Sequence, residues 1–257
     1  MAAFACGGSR AISARLIGRD RVDILGCGVD LVDAASALEC IMGFVRDGRS
    51  AHVVTFGAEM AIRAAREPAY RQVVNGADLV VADSVGVVWA SRILGRPLHE
   101  RVAGIELVER LCDVADFPMF LLGAAQGVAE SAAAQLSAAH PRLRIVGTHH
   151  GYFEDRGSAP IVGAIKASGA RLVLVALGVP RQEYWIRENL AQLGALACIG
   201  VGGAFDVWAG KVPRAPEAWR RAGLEWLYRL AREPRRVGRQ LALPEFAMRV
   251  LLQRLHA

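Results

Sequence analysis

The 257-residue chain lacks the signatures that mark many common catalytic chemistries. It has no G-x-x-x-x-G-K-[S/T] phosphate loop, no H-E-x-x-H and no G-x-S-x-G, which excludes P-loop, zincin and nucleophile-elbow readings. It has no clear D-x-D pair of the kind that holds a metal in common nucleotide-sugar enzymes. Five cysteines (Cys6, Cys27, Cys40, Cys112, Cys198) are an odd number without a C-x-x-C pair, each in an apolar or small-residue setting. They read as buried free thiols in a reducing compartment, not as a disulfide framework or zinc site. No run reaches the roughly 18 uncharged apolar residues that a membrane span requires. Residues 1–18 are small and apolar but are interrupted by Arg10 and Arg15, so they do not read as a signal peptide. Residues 1–20 are expected to form a flexible extension. The adjacent pair His149-His150 is expected to diverge on a strand or turn, which leaves no metal site.

What is present is a globular composition, 53% hydrophobic and 22% charged. The net charge of +6 is unevenly placed. From Lys211 onward there are eleven basic residues against four glutamates, a net of +7, whereas the rest of the chain carries −1. A basic tail of this kind suits a polyanion, either lipid phosphate or nucleic acid, or else a solvated helix face. Its aromatics interleave poorly and it is rich in Leu, which disfavours nucleic acid.

Short Val/Ile/Leu runs at 22–31, 52–55, 79–82, 119–122, 144–148, 172–176 and 197–201 read as strands. Segments with apolar residues three and four apart lie between them, at 58–66, 87–94, 105–114, 128–139, 160–167 and 182–193, and read as helices. This alternation predicts an α/β fold: a mostly parallel, Rossmann-like sheet with helices on both faces, spanning 21–210. After Gly210 the pattern changes. Pro213 and Pro216 break the chain, 217–232 reads as an amphipathic helix ended by Pro234, and 241–255 is an apolar and basic stretch interrupted by Pro244. Residues 211–257 therefore read as a basic amphipathic C-terminal appendage.

In open α/β sheets, ligands bind at the carboxyl ends of the strands, so polar residues there are the candidates. Asp83, after the run 79–82, can take a proton from an attacking hydroxyl or can cap the following helix. Thr55 can bond a sugar or phosphate or start a helix. Arg101 can stabilise a departing diphosphate or pair with Glu100 or Glu106. The junction Gly178-Val179-Pro180-Arg181-Gln182-Glu183 can present backbone amides and Gln182 to an anion, or serve as an ordinary turn. Gly200-Val201-Gly202-Gly203-Ala204-Phe205-Asp206 is not G-x-G-x-x-G, because Phe205 stands where the last glycine would be. It can still let a nucleotide approach closely, with Asp206 accepting from a base or ribose.

Seven segments, in order from about residue 22 to 240, resemble the WecG/TagA/CpsF glycosyltransferase family. They are Val53-Val54-Thr55; Ala82-Asp83 through Gly86-Val87-Val88; Arg101-Val102-Ala103-Gly104; Leu122-Gly123-Ala124; Leu177-Gly178 with Pro180-Arg181-Gln182-Glu183; Gly200-Val201-Gly202 through Phe205-Asp206; and Gly223-Leu224-Glu225-Trp226 with Arg229 and Glu233-Pro234-Arg235-Arg236. The resemblance implies inverting transfer of a hexosyl or N-acetylhexosaminyl unit, without metal or other cofactor. The donor would be a UDP-sugar and the acceptor a sugar linked to polyprenyl diphosphate. It implies Asp83 as general base, with Arg101, Thr55 and Gln182 around it and Asp206 near the nucleotide. Arg229, Arg236 and Arg239 would reach the donor's diphosphate from the appendage. It also implies a cytoplasmic protein, peripheral on the inner face of the membrane through that appendage. Oligomeric state stays open: an undocked appendage could bare an apolar surface that self-associates into a homo-oligomer. A catalytically silent binder of nucleotide-sugar or lipid head group is the alternative. The chain departs from the family pattern at Gly57, Ser84 and Ile105-Glu106, where Asn, Gly and Ser-Asp are usual. All three departures lie at the sugar end of the implied site.

Overall fold

The computed structural model describes residues 20–153, 157–194, 196–216, 219, 227–228 and 242–256. The chain opens with an antiparallel hairpin, β1 (Arg21–Ile24) and β2 (Cys27–Asp30). Next come α1 (Ala34–Arg46), β3 (Ala51–Phe56), α2 (Ala58–Arg66), α3 (Pro68–Asn75), β4 (Leu79–Ala82), α4 (Val85–Ile93) and α5 (Gly104–Val114). The second half contains β5 (Pro118–Gly123), α6 (Val128–Ala139), β6 (Arg144–His149), α7 (Ser158–Ala167), β7 (Leu172–Ala176), α8 (Arg181–Leu193), β8 (Ala197–Gly200), the short α9 (Ala204–Trp208) and α10 (Ala242–Leu255).

Strands β3 to β8 form one parallel sheet in the order β4-β3-β8-β7-β5-β6, as the buried apolar runs predict. Alternation along the strands divides the core. Val53, Leu79, Val81, Met119, Leu121, Leu172, Leu174 and Ile199 face α1, α5 and α6. Val54, Phe56, Val80 and Ala82 turn the other way, towards α2, α3, α4 and α10. Phe120, Leu122, Val173, Val175 and Cys198 continue that second face under α7 and α8. Cys27, Cys40, Cys112 and Cys198 are buried and stand outside any disulfide. Burial pushes Cys27 and Cys112 up to about 12 and raises Cys198 as well, so these thiols are inert at neutral pH.

Three expectations are corrected. Residues 22–31 are not one strand, because Leu25 (φ 54°) and Gly26 (φ 86°) fold them into a hairpin. The hairpin lies outside the parallel sheet yet guards its edge: the Asp30 carboxylate, paired with Arg21 at 2.8 Å, accepts the Val80 N–H at 2.7 Å. Pro244 does not interrupt 241–255, since it falls in the first turn of α10, where a missing N–H costs nothing. His149 and His150 do not diverge: β6 ends at His149, which donates from Nδ1 to the His150 carbonyl at 2.7 Å, and the rings lie 4.7 Å apart. Among the described residues no three His, Cys, Asp or Glu side chains are grouped to hold a metal ion.

Helix α10 packs against α2 and α4, with Phe246 and Val250 buried in the second face of the core. Each such side chain contributes about 1.5–3 kcal/mol through burial. Glu245 pairs with Arg66, and Gln253 accepts from Leu25 N at 2.9 Å and donates to the Asp23 carbonyl at 3.0 Å. The end of the described chain is thus fastened to its beginning.

Candidate active site

The candidate residues gather at the carboxyl end of the sheet. Asp83 follows β4 directly, and its backbone N–H is bonded to Phe56 O at 2.9 Å. Beyond α4 the chain returns alongside the same strand, where Val102 N donates to Ala82 O at 2.8 Å. That contact sets Arg101 and the start of α5 beside Asp83. Asp83 Oδ1 accepts the Gly104 N–H at 2.7 Å. The carboxylate therefore caps α5, 21 residues away, whereas α4 has its own cap in Ser84, which accepts from Val87 N. A negative charge at a helix N-terminus is favoured by the helix dipole.

Thr55 lies on the α5 side of β3. Its hydroxyl donates to Gly200 O at 2.8 Å across the β3–β8 pair, and its methyl packs on Gly104, where an added Cβ would lie 2.8 Å from Thr55 Cγ2. It does not cap a helix, since Gly57 is the cap of α2. Of Arg101's two candidate partners, Glu106 stands at 3.8 Å, while Glu100 accepts the Ala34 N–H at 2.8 Å at the start of α1, beside the Asp33 cap.

Gln182 is buried at the start of α8, and protein groups engage both ends of its amide. Its Oε1 accepts from Gly202 N at 3.0 Å, and its Nε2 donates to Glu183 Oε1 at 2.6 Å. Asp206 follows the Gly200–Gly203 loop in α9, half-buried, and its carbonyl accepts from Lys211 N at 2.9 Å and Val212 N at 3.0 Å. Arg229, Arg236 and Arg239 lie outside the described residues.

Two participants were missed by sequence reasoning. Arg214 forms ion pairs with Glu106 at 3.1 Å and Glu109 at 2.9 Å, tying the segment after Gly210 to α5 beside Arg101. No motif marks an arginine in a Pro-broken stretch, although the acidic i, i+3 pair on α5 was visible. In the sequence, Glu183 stands only as the end of the Gly178–Glu183 junction. It is fully buried, accepts from Tyr70 OH at 3.3 Å as well as from Gln182, and is pushed up to about 7, chiefly by burial.

A carboxylate bonded to a helix N-terminus, an arginine in the adjoining segment and a glycine-rich loop thus stand at the strand ends of a parallel α/β sheet. The profile of the Glycosyl transferase WecG/TagA/CpsF family matches residues 22–257, and the chain belongs to that family. An N-acetylglucosaminyldiphosphoundecaprenol N-acetyl-beta-D-mannosaminyltransferase of Bacillus spizizenii is 35% identical over 211 residues, 81% of each chain. A protein of the same description from Staphylococcus aureus strain MW2 is 34% identical over 235 residues, 90% of this chain and 92% of its own length.

Proposed function

We propose that the protein is an inverting, metal-independent hexosyl- or N-acetylhexosaminyltransferase that uses a UDP-sugar donor. Its acceptor is a sugar carried on polyprenyl diphosphate, the kind of acceptor that the relatives' descriptions print. The observation that carries the reading is the placement of Asp83: the Gly104 amide fixes one oxygen, and the Val102–Ala82 contact brings Arg101 alongside. In an inverting transfer the acceptor hydroxyl attacks the anomeric carbon from the side opposite the diphosphate. Asp83 takes the hydroxyl proton as the new bond forms. The departing diphosphate gains charge, which Arg101 and the tail arginines Arg229, Arg236 and Arg239 stabilise without a metal. Asp206 and the Gly200–Gly203 loop hold the nucleotide.

The acceptor's lipid places its head group at a bilayer surface. No helix among the described residues is long and apolar enough to cross a membrane. Instead, α10 exposes Met248, Leu251, Leu252 and Leu255, and the adjoining α4 exposes Val85 and Trp89. Arg92 and Arg254 are exposed on the same two helices. An apolar face with basic residues and a Trp suits an anionic membrane surface, and Val85 lies two residues from Asp83. This supports peripheral contact with the inner face of the membrane.

The test is mass-spectrometric detection of transfer from a panel of UDP-sugars to a short-chain lipid-diphosphate sugar, with wild type and Asp83→Asn. Transfer by wild type and its loss in the Asn variant are expected. Undiminished turnover by Asp83→Asn would remove the general base. UDP binding without transfer from any donor would favour a catalytically silent binder.

A further inference from the structure

The buried cluster of Gln182, Glu183 and Tyr70 lies directly behind the glycine-rich loop. Its members come from two helices, Tyr70 from α3 and the other two from the first turn of α8. Tyr70 and Glu183 have no exposed surface and Gln182 has 2%. A buried carboxylate is costly when charged, so an acceptor at this position asks for a reason.

The reason lies in the two-sided chemistry of the Gln182 amide. In the observed orientation its carbonyl oxygen accepts from Gly202 N and its NH2 donates to Glu183. Turned by half a rotation, it would set NH2 against the Gly202 N–H and oxygen against the Glu183 carboxylate, donor on donor and acceptor on acceptor. Glu183 is an acceptor towards the amide, and Tyr70 holds its other oxygen at 3.3 Å. Gly200 leaves the room: a Cβ there would lie 2.6 Å from Gln182 Nε2 and 3.2 Å from Glu183 Oε1. Gly202, the far end of the relay, adopts φ +53°.

We propose that Glu183 is a positioning residue: it fixes the orientation of the Gln182 amide, which holds Gly202 N–H and so sets the shape of the loop that takes the donor's nucleoside diphosphate. The nucleotide half of this inference rests on the function proposed above. Gln182 then acts on the loop from behind, and its variants weaken donor binding by way of the backbone.

The test uses the full chain and three variants, Glu183→Gln, Glu183→Leu and Gln182→Met, each checked by thermal unfolding. Hydrogen exchange reads the peptide containing Gly202, calorimetry reads UDP affinity, and transfer kinetics separate KM from kcat. Glu183→Gln still offers the Gln182 NH2 an oxygen, so Gly202 protection and UDP affinity should stay within about 3-fold of wild type. Glu183→Leu and Gln182→Met should speed Gly202 exchange and weaken UDP about 10-fold, the equivalent of one hydrogen bond, with KM for the donor rising more than kcat falls. Glu183→Met carries the same test should the Leu variant not fold. Wild-type exchange at Gly202 in a folded Leu or Met variant at position 183 would overturn the proposal. A role only in packing α3 on α8 would lower the unfolding temperature of these variants and leave exchange and UDP affinity unchanged, which would also overturn it. A wild type that binds no UDP would defeat the donor reading, while the exchange result would still decide whether Glu183 sets the loop.

Discussion

Asp83 and Gly104 meet at 2.7 Å, carboxylate oxygen to backbone N–H, across 21 residues of sequence. The bond makes the candidate base and the start of α5 one unit, with Thr55 packed against the same glycine. The carboxylate thus has a structural task as well as the chemical one proposed for it.

These two tasks separate on substitution. Asp83→Asn keeps an oxygen for Gly104 N–H and loses the base. Transfer should fall by about 10²–10⁴-fold with little change in stability. Asp83→Ala loses the cap as well, and should cost a further 0.5–2 kcal/mol, roughly the worth of a helix cap. Chemical unfolding of both variants beside wild type checks this. Equal stability of the Ala variant and wild type would show that the bond contributes nothing.

Gly104→Ala would drive a methyl to 2.8 Å from Thr55 Cγ2 and 3.2 Å from Thr55 Cβ. Overpacking of this kind costs about 1–3 kcal/mol. Thr55→Ser removes Cγ2 and retains the hydroxyl that bonds Gly200 O. The double variant should therefore recover part of the loss, and a double-mutant cycle should give a coupling of at least about 0.5 kcal/mol. Additive effects would mean that the two residues do not press on each other.

Much of this arrangement was legible in the sequence. The strands at 79–82 and 172–176 and the helices at 58–66 and 128–139 coincide with β4, β7, α2 and α6, because unbroken apolar runs and 3.6-residue spacing report burial directly. The carboxyl-end rule then singled out Asp83, Thr55, Gln182 and Asp206, which stand at or just beyond the ends of β4, β3, β7 and β8. What the sequence could not convey is who bonds whom. Asp83 capping α5 and not α4, Glu100 bonding Ala34 N–H at the start of α1 and Arg214 anchoring on Glu106 all depend on chain segments that return to the site from elsewhere. The hairpin was hidden because Leu25 holds a positive φ that usually calls for Gly or Asn. The tail arginines fall outside the described residues, so their role rests on the family resemblance.

Two buried groups should tilt stability in opposite directions with pH. Burial raises Glu183 from 4.5 to about 7, so the folded state binds its proton more tightly than the unfolded chain does. Its contribution is fully present below about pH 4.5 and is lost as pH rises to 7, a change of roughly 3 kcal/mol. Burial lowers His52 from 6.5 to about 4, so its contribution is present above pH 6.5 and is lost as pH falls towards 4. Between these limits the two slopes oppose each other, and single variants should unmask them. Glu183→Gln should match wild type near pH 4.5 and become progressively more stable than wild type up to about pH 7. Denaturant unfolding across that range reads the difference directly. A constant difference would mean that Glu183 titrates alike in the folded and unfolded chains.

The exposed α4–α10 face gives a test of membrane contact that leaves the core untouched. Met248, Leu252 and Leu255 are 56%, 46% and 79% exposed, so charge there breaks no packing, whereas Phe246 and Val250 on the same helix are buried and hold α10 in place. Met248→Glu with Leu252→Glu should leave the unfolding temperature within a few degrees of wild type. The same pair should sharply reduce co-sedimentation with vesicles containing anionic lipid, because apolar contact is lost and the added carboxylates are repelled by the anionic head groups. Transfer to a short-chain, water-soluble acceptor should persist, while transfer to a long-chain acceptor in vesicles should fall. Unchanged sedimentation would show that this face is not where the protein meets the membrane, and would leave the basic segment that precedes α10 as the contact.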